Sequence, residues 1–385
     1  MNKLNNILLV VWVFSLLVLG YFVVDYMKYR EQLADRKEAA IIEESETVNG
    51  EQVEQPAEDL KPVSYEEKEV VMELAMIGDV LLHKHLALYG EWTNAFEPVR
   101  AYLESPDFLI ANQESPPTAP TYPISGYPQF SSPDTIIRDI QLVGVDYVNL
   151  ANNHIVDKGE GGMKVVFDVL DHYAMPYVGA YRSEEDLATH RIIEKDGLKV
   201  GLLSYTYGTN GLYLPTGSPF IVNYIEMDQI TADVQAIKPH VDVVTVLMHW
   251  GAEYVTEHNS TQKSLAEQLN AAGVDIVFGA HPHVLQPYEK LVNGEGQETH
   301  VFYSLGNFFA TTSSSKESFI GAIASLQISK KGEAVTVQMP KVVATSMLIG
   351  SDGKYRVYPL ADVESQSVRN LAWVQGVLGP EVLVQ

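Results

Sequence analysis

The stretch VDIVFGAHPHVLQP, residues 274–287, decides how the rest of the chain is read. A run rich in apolar and β-branched residues ends abruptly in His281-Pro282-His283, as a buried strand does at the rim of a sheet. The same form recurs outward from it. VMELAMI ends in Gly78-Asp79, DFLIAN in Asn112-Gln113-Glu114, and DYVNLAN in Asn152-Asn153-His154. VDVVTVLM ends in His249-Trp250-Gly251 and HVFYSLG in Asn307. Helical patterns intervene at FEPVRAYLE, DTIIRDIQLVG, GGMKVVFDVLDHY, Asp228 to Ile237 and SLAEQLNAAG, and KVGLLSYTY reads as a further strand. This alternation predicts an α/β fold beginning near Val70, with β additions from Phe319 to Val343. Ligands bind outside the carboxyl ends of strands in open α/β sheets, so these scattered polar residues are expected to converge in space.

Composition narrows the chemistry. With 385 residues, 46% of them hydrophobic, the chain can bury a sizeable core as one large domain or two small ones. A formal charge of −24 argues against nucleic acid as a partner, because phosphate binding needs clustered Lys and Arg. The absence of cysteine excludes disulfides, thiolate nucleophiles and Cys-ligated zinc, leaving His, Asp, Glu and Asn to form any metal site.

His281 and His283, with Asp79, Glu114, Asn153 and His249, supply enough nitrogen and oxygen donors for one or two divalent cations. The mixed donor set suits Mn, Zn, Fe or Mg without choosing among them. Each residue also has an ordinary reading. Asp79 is a turn or N-cap residue, Asn152-Asn153-His154 a turn, His249 a packed core histidine beside Trp250, and Glu114 the start of a solvated loop. Their recurrence at strand ends favours the joint reading. His83 and His85, in GDVLLHKHL, begin a helix or loop and are candidates for substrate or outer-sphere contact. His172, His190, His240, His258 and His300 read as surface or core residues. Tyr205, Tyr207 and Tyr213 either line a groove or pack a loop.

At the N-terminus, Ile7 to Val24 is 18 residues without a charge, about enough to span a bilayer core of roughly 30 Å. It reads as one uncleaved transmembrane helix, since no A-x-A site follows it; a cleaved signal peptide is the rival. Lys28, Arg30, Arg36 and Lys37 after the span outweigh Lys3 before it, so the charge count alone keeps the C-terminal part in the cytoplasm. The expected organisation is a cytoplasmic tip and anchor at 1–30, an acidic flexible tether at 31–67, a folded domain at 68–345 and a C-terminal extension at 346–385.

Together, MIGDVLLH, NQES, NLANNHIVDKGEGG, LMHWGAEY, GAHPHVLQP and YSLGNFF resemble the CapA, or PgsA, family of capsule synthesis proteins associated with poly-γ-glutamate. That family in turn resembles the calcineurin-like metallophosphoesterases. The resemblance implies a four-layer α/β sandwich, two sheets flanked by helices, around a two-metal site. Carried over by position, Asp79 matches the first aspartate, Glu114 the bridging carboxylate, Asn153-His154 the Asn-His pair, and His249, His281 and His283 the later metal histidines. The superfamily's opening Asp-x-His is here Asp79-Val80-Leu81, and its bridging Asp is a Glu. His154, held by Asp157, is the expected acid, and His83, Asn152, Glu253 and Asn307 are candidate substrate contacts.

The resemblance further implies a single-pass membrane protein with its domain outside the cell, among other membrane subunits of a capsule synthase. Two roles follow. One is metal-dependent hydrolysis or transfer of an amide or phosphoester bond. The other is a non-catalytic accessory subunit that holds or guides the anionic polymer through metal ions.

Overall fold

Strand Val70–Leu81 shows how the sequence sets the layers. Met72, Leu74 and Met76 point to one face and Ala75 and Ile77 to the other, and all five are buried, so this strand needs cover on both sides. A computed structural model describes residues 68–311 and 314–385. They belong to one unit, Glu67–Gln385.

Two sheets build it. In the first, the order is Tyr355–Pro359, Lys341–Ile349, Ile320–Lys331, Val70–Leu81, Phe108–Gln113, Tyr147–Asn149 and Tyr177–Val178. The second runs Leu285–Val292, Glu298–Leu305, Ile276–Ala280, Val243–His249, Leu198–Thr206 and Arg191–Lys195. Met72, Leu74 and Met76 meet Leu202, Leu247, Phe278 and Phe302 in a core between the sheets. On the outer face of the first sheet, Ala75, Ile77 and Val148 pack against Ile136, Ile140, Met163 and Val166 of helices Thr135–Gln141 and Gly159–Tyr173. On the outer face of the second, Val244, Val246 and Val277 pack against Ile230, Val234, Ala266 and Leu269 of helices Met227–Ile237 and Ser260–Ala272. The result is a mixed α/β fold in four layers, helices outside and sheets inside.

The strands that carry donors run parallel within each sheet, so their carboxyl ends share one rim. Val70–Leu81 is parallel to Phe108–Gln113, which is parallel to Tyr147–Asn149. Leu198–Thr206, Val243–His249, Ile276–Ala280 and Glu298–Leu305 are mutually parallel as well. Residues 346–385 belong to the same fold. Strand Lys341–Ile349 crosses position 345, and Val357, Leu360, Val374 and Leu378 are fully buried. The expected span at residues 7–24 and tether at 31–67 lie outside the described residues. Among those described, no helix is long and apolar enough to cross a membrane.

One buried histidine links the second sheet to solution conditions. His300, paired through Nδ1 with the Tyr288 hydroxyl at 2.8 Å, is pushed down to about 4, first by burial and then by Lys290. The unfolded chain takes up this proton near pH 6.5, so the contribution is complete above 6.5 and is lost as pH falls toward 4. His300→Gln is expected to remove about 3 kcal/mol of acid sensitivity across that window. Urea unfolding of both proteins at pH 4 to 7 checks it; parallel curves would refute the assignment.

Candidate metal centre

Asp79 reaches the rim through a local irregularity. The pairing of its strand shifts register between Ile77 and Asp79 on the Phe108–Gln113 side and between Asp79 and Val80 on the Asn307–Ala310 side, which re-aims the side chain. Its Oδ1 accepts a hydrogen bond from Asn112 Nδ2 at 2.7 Å and its Oδ2 one from His283 Nδ1 at 2.9 Å. Asn307 Oδ1 stands 3.0 Å from the same His283 nitrogen. Both neighbours are acceptors, so Nδ1 carries the proton and Nε2 is left facing Glu114 Oε1 at 3.9 Å.

The HPH segment turns two rings inward by an unusual backbone. His281 and His283 have φ of +97° and +59°, a region side-chain-bearing residues rarely occupy, at a cost of about 1–3 kcal/mol each. Pro282 between them fixes its own φ and keeps His281 out of the helical region. The rings end 6.0 Å apart, and His281 lies 4.8 Å from His249, the last residue of its strand. His249 Nε2 is 3.7 Å from Glu114 Oε1 and 3.0 Å from Asn153 Oδ1.

Glu114 is the pivot. It is fully buried, and neither carboxylate oxygen has a hydrogen-bond partner. Its ligand atom lies within 4.8 Å of those of His249 and His281 in one set, and of Asp79 and His283 in another. Glu253, exposed, forms a third set with His281 and His283. A buried carboxylate without partners costs several kcal/mol unless a charge meets it, and the facing atoms are imidazole nitrogens and a second carboxylate. That donor set fits one or two divalent cations, with Glu114 shared. Without a cation, protons take up part of its role. Burial and then Asp79 hold Glu114 well above the usual carboxylate range. Burial and the neighbouring imidazoles hold His249 and His281 well below the usual histidine value, in the neutral form that binds metals. Burial opposes the charge on His283, but Glu114 and Asp79 outweigh it and push the ring up to about 10.

The remaining sequence candidates divide. His154 Nδ1 pairs with Asp157 Oδ2 at 2.8 Å, leaving Nε2 as the nitrogen available to a reacting group. The same Asp157 oxygen accepts from the Phe130 amide at 2.6 Å, so one carboxylate holds both the imidazole and the loop that packs on it. His83 and Phe130 line the cavity that also contains His154, Glu253, His283 and Asn307. Asn152 is turned into the main chain: its Nδ2 donates to the Gln113 carbonyl and its Oδ1 accepts from the His154 amide. His85 bonds Thr311 instead. Tyr207 sits 4.5 Å from His281, whereas Tyr205 is a core residue bonded to Asp233 and Tyr213 is exposed. Sequence reasoning missed Asn112 as a site residue, along with Asn149, Phe130 and Tyr254, whose ring lies 5.7 Å from that of His283. Asn112 closes the DFLIAN strand just before Glu114, and that position was its only signal.

A family model described as bacterial capsule synthesis protein PGA_cap matches residues 73–312. The capsule biosynthesis protein CapA of Bacillus anthracis is 29% identical over 268 residues, covering 66% of this chain and 63% of that protein. The PGA biosynthesis protein CapA of Bacillus subtilis is 29% identical over 252 residues, covering 62% and 63%. The match thus spans 63% of the length of each relative. Among solved structures, the NAD nucleotidase NadN of Haemophilus influenzae aligns with a TM-score of 0.47 at 12% identity, over 83% of this chain and 64% of that one. The calcineurin-like phosphoesterase YfkN of Bacillus subtilis aligns at 0.42 and 15% identity, over 80% and 96%.

Proposed function

This chain belongs to the family of the bacterial capsule synthesis protein PGA_cap, and from that premise we propose that it acts in capsule biosynthesis or export on poly-γ-glutamate or a related anionic polymer. The proposed chemistry is hydrolysis or transfer of an amide or phosphoester bond at a divalent-metal site. One observation carries the metal reading: Glu114, buried with both oxygens unpartnered, lies between two sets of buried donors.

Asp79, Glu114 and His283 would hold one cation and Glu114, His249 and His281 a second, with Asn153 Oδ1 beside His249 Nε2. A divalent cation there supplies Lewis acidity, which polarises a carbonyl or phosphoryl oxygen and acidifies water. His154 would give a proton from Nε2 to the leaving group while Asp157 holds its Nδ1 proton. Phe130, edge-on to His154 at 4.7 Å, screens that ring from bulk water. Glu253 and His83, at the same cavity, would contact substrate. The uncharged run at residues 7–24 supports a single-pass anchor, with the domain placed outside the cell beside other membrane subunits of a capsule synthase.

The deciding experiment is elemental analysis of the purified full chain beside a His281→Ala/His283→Ala variant of matched far-UV CD. Near-stoichiometric Mn, Zn, Fe or Mg is expected in the first and background in the second, with protons released as apoprotein takes up metal. No metal in either, after incubation with Mn or Zn, would remove the hydrolase reading. Metal binding without release from γ-glutamyl polymers or phosphodiesters would favour the accessory role, in which cations bridge protein and polymer.

A further inference from the structure

Asn112 is fully buried at the end of strand Phe108–Gln113, and each polar atom of its side chain is engaged. Nδ2 donates to Asp79 Oδ1 at 2.7 Å and stands 3.4 Å from His249 Nδ1. Oδ1 accepts from Asn149 Nδ2 at 3.0 Å. Asn149 Oδ1 in turn accepts from Ser204 Oγ at 2.5 Å and from the Ala151 amide at 3.1 Å. Asp79, Asn112 and Asn149 lie near the carboxyl ends of three adjacent strands of the first sheet, whereas Ser204 and His249 lie on the second. A single line of amides therefore crosses the interlayer directly beneath the donors.

The two residues that Asn112 touches belong to different donor sets. Asp79 shares a set with Glu114 and His283, and His249 shares the other with Glu114 and His281. By occupying the Nδ1 side of His249, Asn112 keeps Nε2 toward Glu114, and by holding Oδ1 of Asp79 it leaves Oδ2 toward His283. Each contact fixes a rotation that the donor alone does not fix. A hydrogen bond to a ligating carboxylate, as Asn112 makes to Asp79, orients that ligand, and loss of such a partner weakens metal binding by about 10- to 100-fold.

We propose that Asn112 is a positioning residue that sets the separation of two cation sites, and that the Asn112–Asn149–Ser204 chain locks that separation to both sheets. This rests on the metal reading above. The ligand class is a pair of first-row divalent cations sharing Glu114.

The test uses the full chain and Mn(II) as the probe, read by equilibrium binding and by electron paramagnetic resonance. Asn112→Asp keeps the volume and the acceptor for Asn149 but removes the N–H groups facing Asp79 and His249. Wild type is expected to bind two ions with a spin-coupled spectrum. N112D should bind about 10- to 100-fold more weakly and give uncoupled signals, at unchanged far-UV CD. Ser204→Ala, which only cuts the far end of the chain, should shift affinity and coupling in the same direction by less, and it carries the test if N112D does not fold. Wild-type affinity and coupling in the folded variants would overturn the positioning role while leaving the metal site standing. Absence of Mn(II) from wild type would instead overturn the metal reading itself.

Discussion

Glu114→Gln is expected to stabilise the metal-free protein at pH 7 and to reduce bound divalent metal to background. The two effects have one cause. Burial and Asp79 raise Glu114 well above its usual 4.5, so folding in the absence of metal disfavours its carboxylate form. A group raised in this way contributes fully below pH 4.5, and that contribution is lost as pH climbs toward the folded value. Gln has the same shape and no proton to acquire, so the two metal-free proteins should be about equally stable near pH 4.5 and diverge as pH rises. Saturating metal acts in the opposite direction. Wild type gains about 2.7 kcal/mol at a hundredfold excess over Kd, whereas the variant, having lost the ligand common to both sets, gains nothing. Urea unfolding in chelator and in Mn(II), at pH 4.5 and 7, reads all of this. A variant that retains metal, or is less stable than wild type in chelator at pH 7, would show that Glu114 is not the shared ligand.

Why Glu114 was legible, and Asn112 was not, follows from what each owes to tertiary structure. Strand ends carrying Asp, Glu, Asn or His are visible wherever an apolar run stops, and six such runs mark the rim in the sequence. Amide hydrogen bonds between Asn112, Asn149 and Ser204 depend on which strands become neighbours, which periodicity does not encode. The edges of the second sheet were lost for another reason. Leu285–Val292 contains Pro287, which demotes a strand on sequence grounds, yet this strand is at the sheet edge, where a missing N–H is tolerated. Arg191–Lys195, at the opposite edge, is five residues long with charges at both ends. The C-terminal residues read as an extension although they join the same core; Val374 and Leu378 face it from one side of a short helix.

Gly78→Ala should be a severely damaging small substitution near the site, although it removes no donor. A Cβ on Gly78 would lie 1.9 Å from the Gly306 carbonyl oxygen and 2.9 Å from its carbon, both backbone atoms that no rotamer change can move aside. The crowding continues beyond this pair. A Cβ on Gly321 would lie 2.0 Å from the Asn307 carbonyl, so strand Ile320–Lys331 closes on the 306–307 segment from its other side. This close approach lets the Asp79 amide bond the Gly306 carbonyl at 3.0 Å and sets Asp79 level with Asn307, the two residues that meet on His283 Nδ1. Forcing the strands apart should cost about 3 kcal/mol or more, lowering Tm by about 4 °C or more. The shift is transmitted to the next residue, Asp79, so Mn(II) affinity should fall together with stability. Gly294→Ala, whose Cβ would meet nothing within 4 Å, is the matched control and should stay within about 0.5 kcal/mol of wild type with metal unchanged. If G78A unfolded like wild type, or lost stability while keeping full metal affinity, Asp79 would owe its placement to its side-chain partners rather than to the close packing of the strands beneath it.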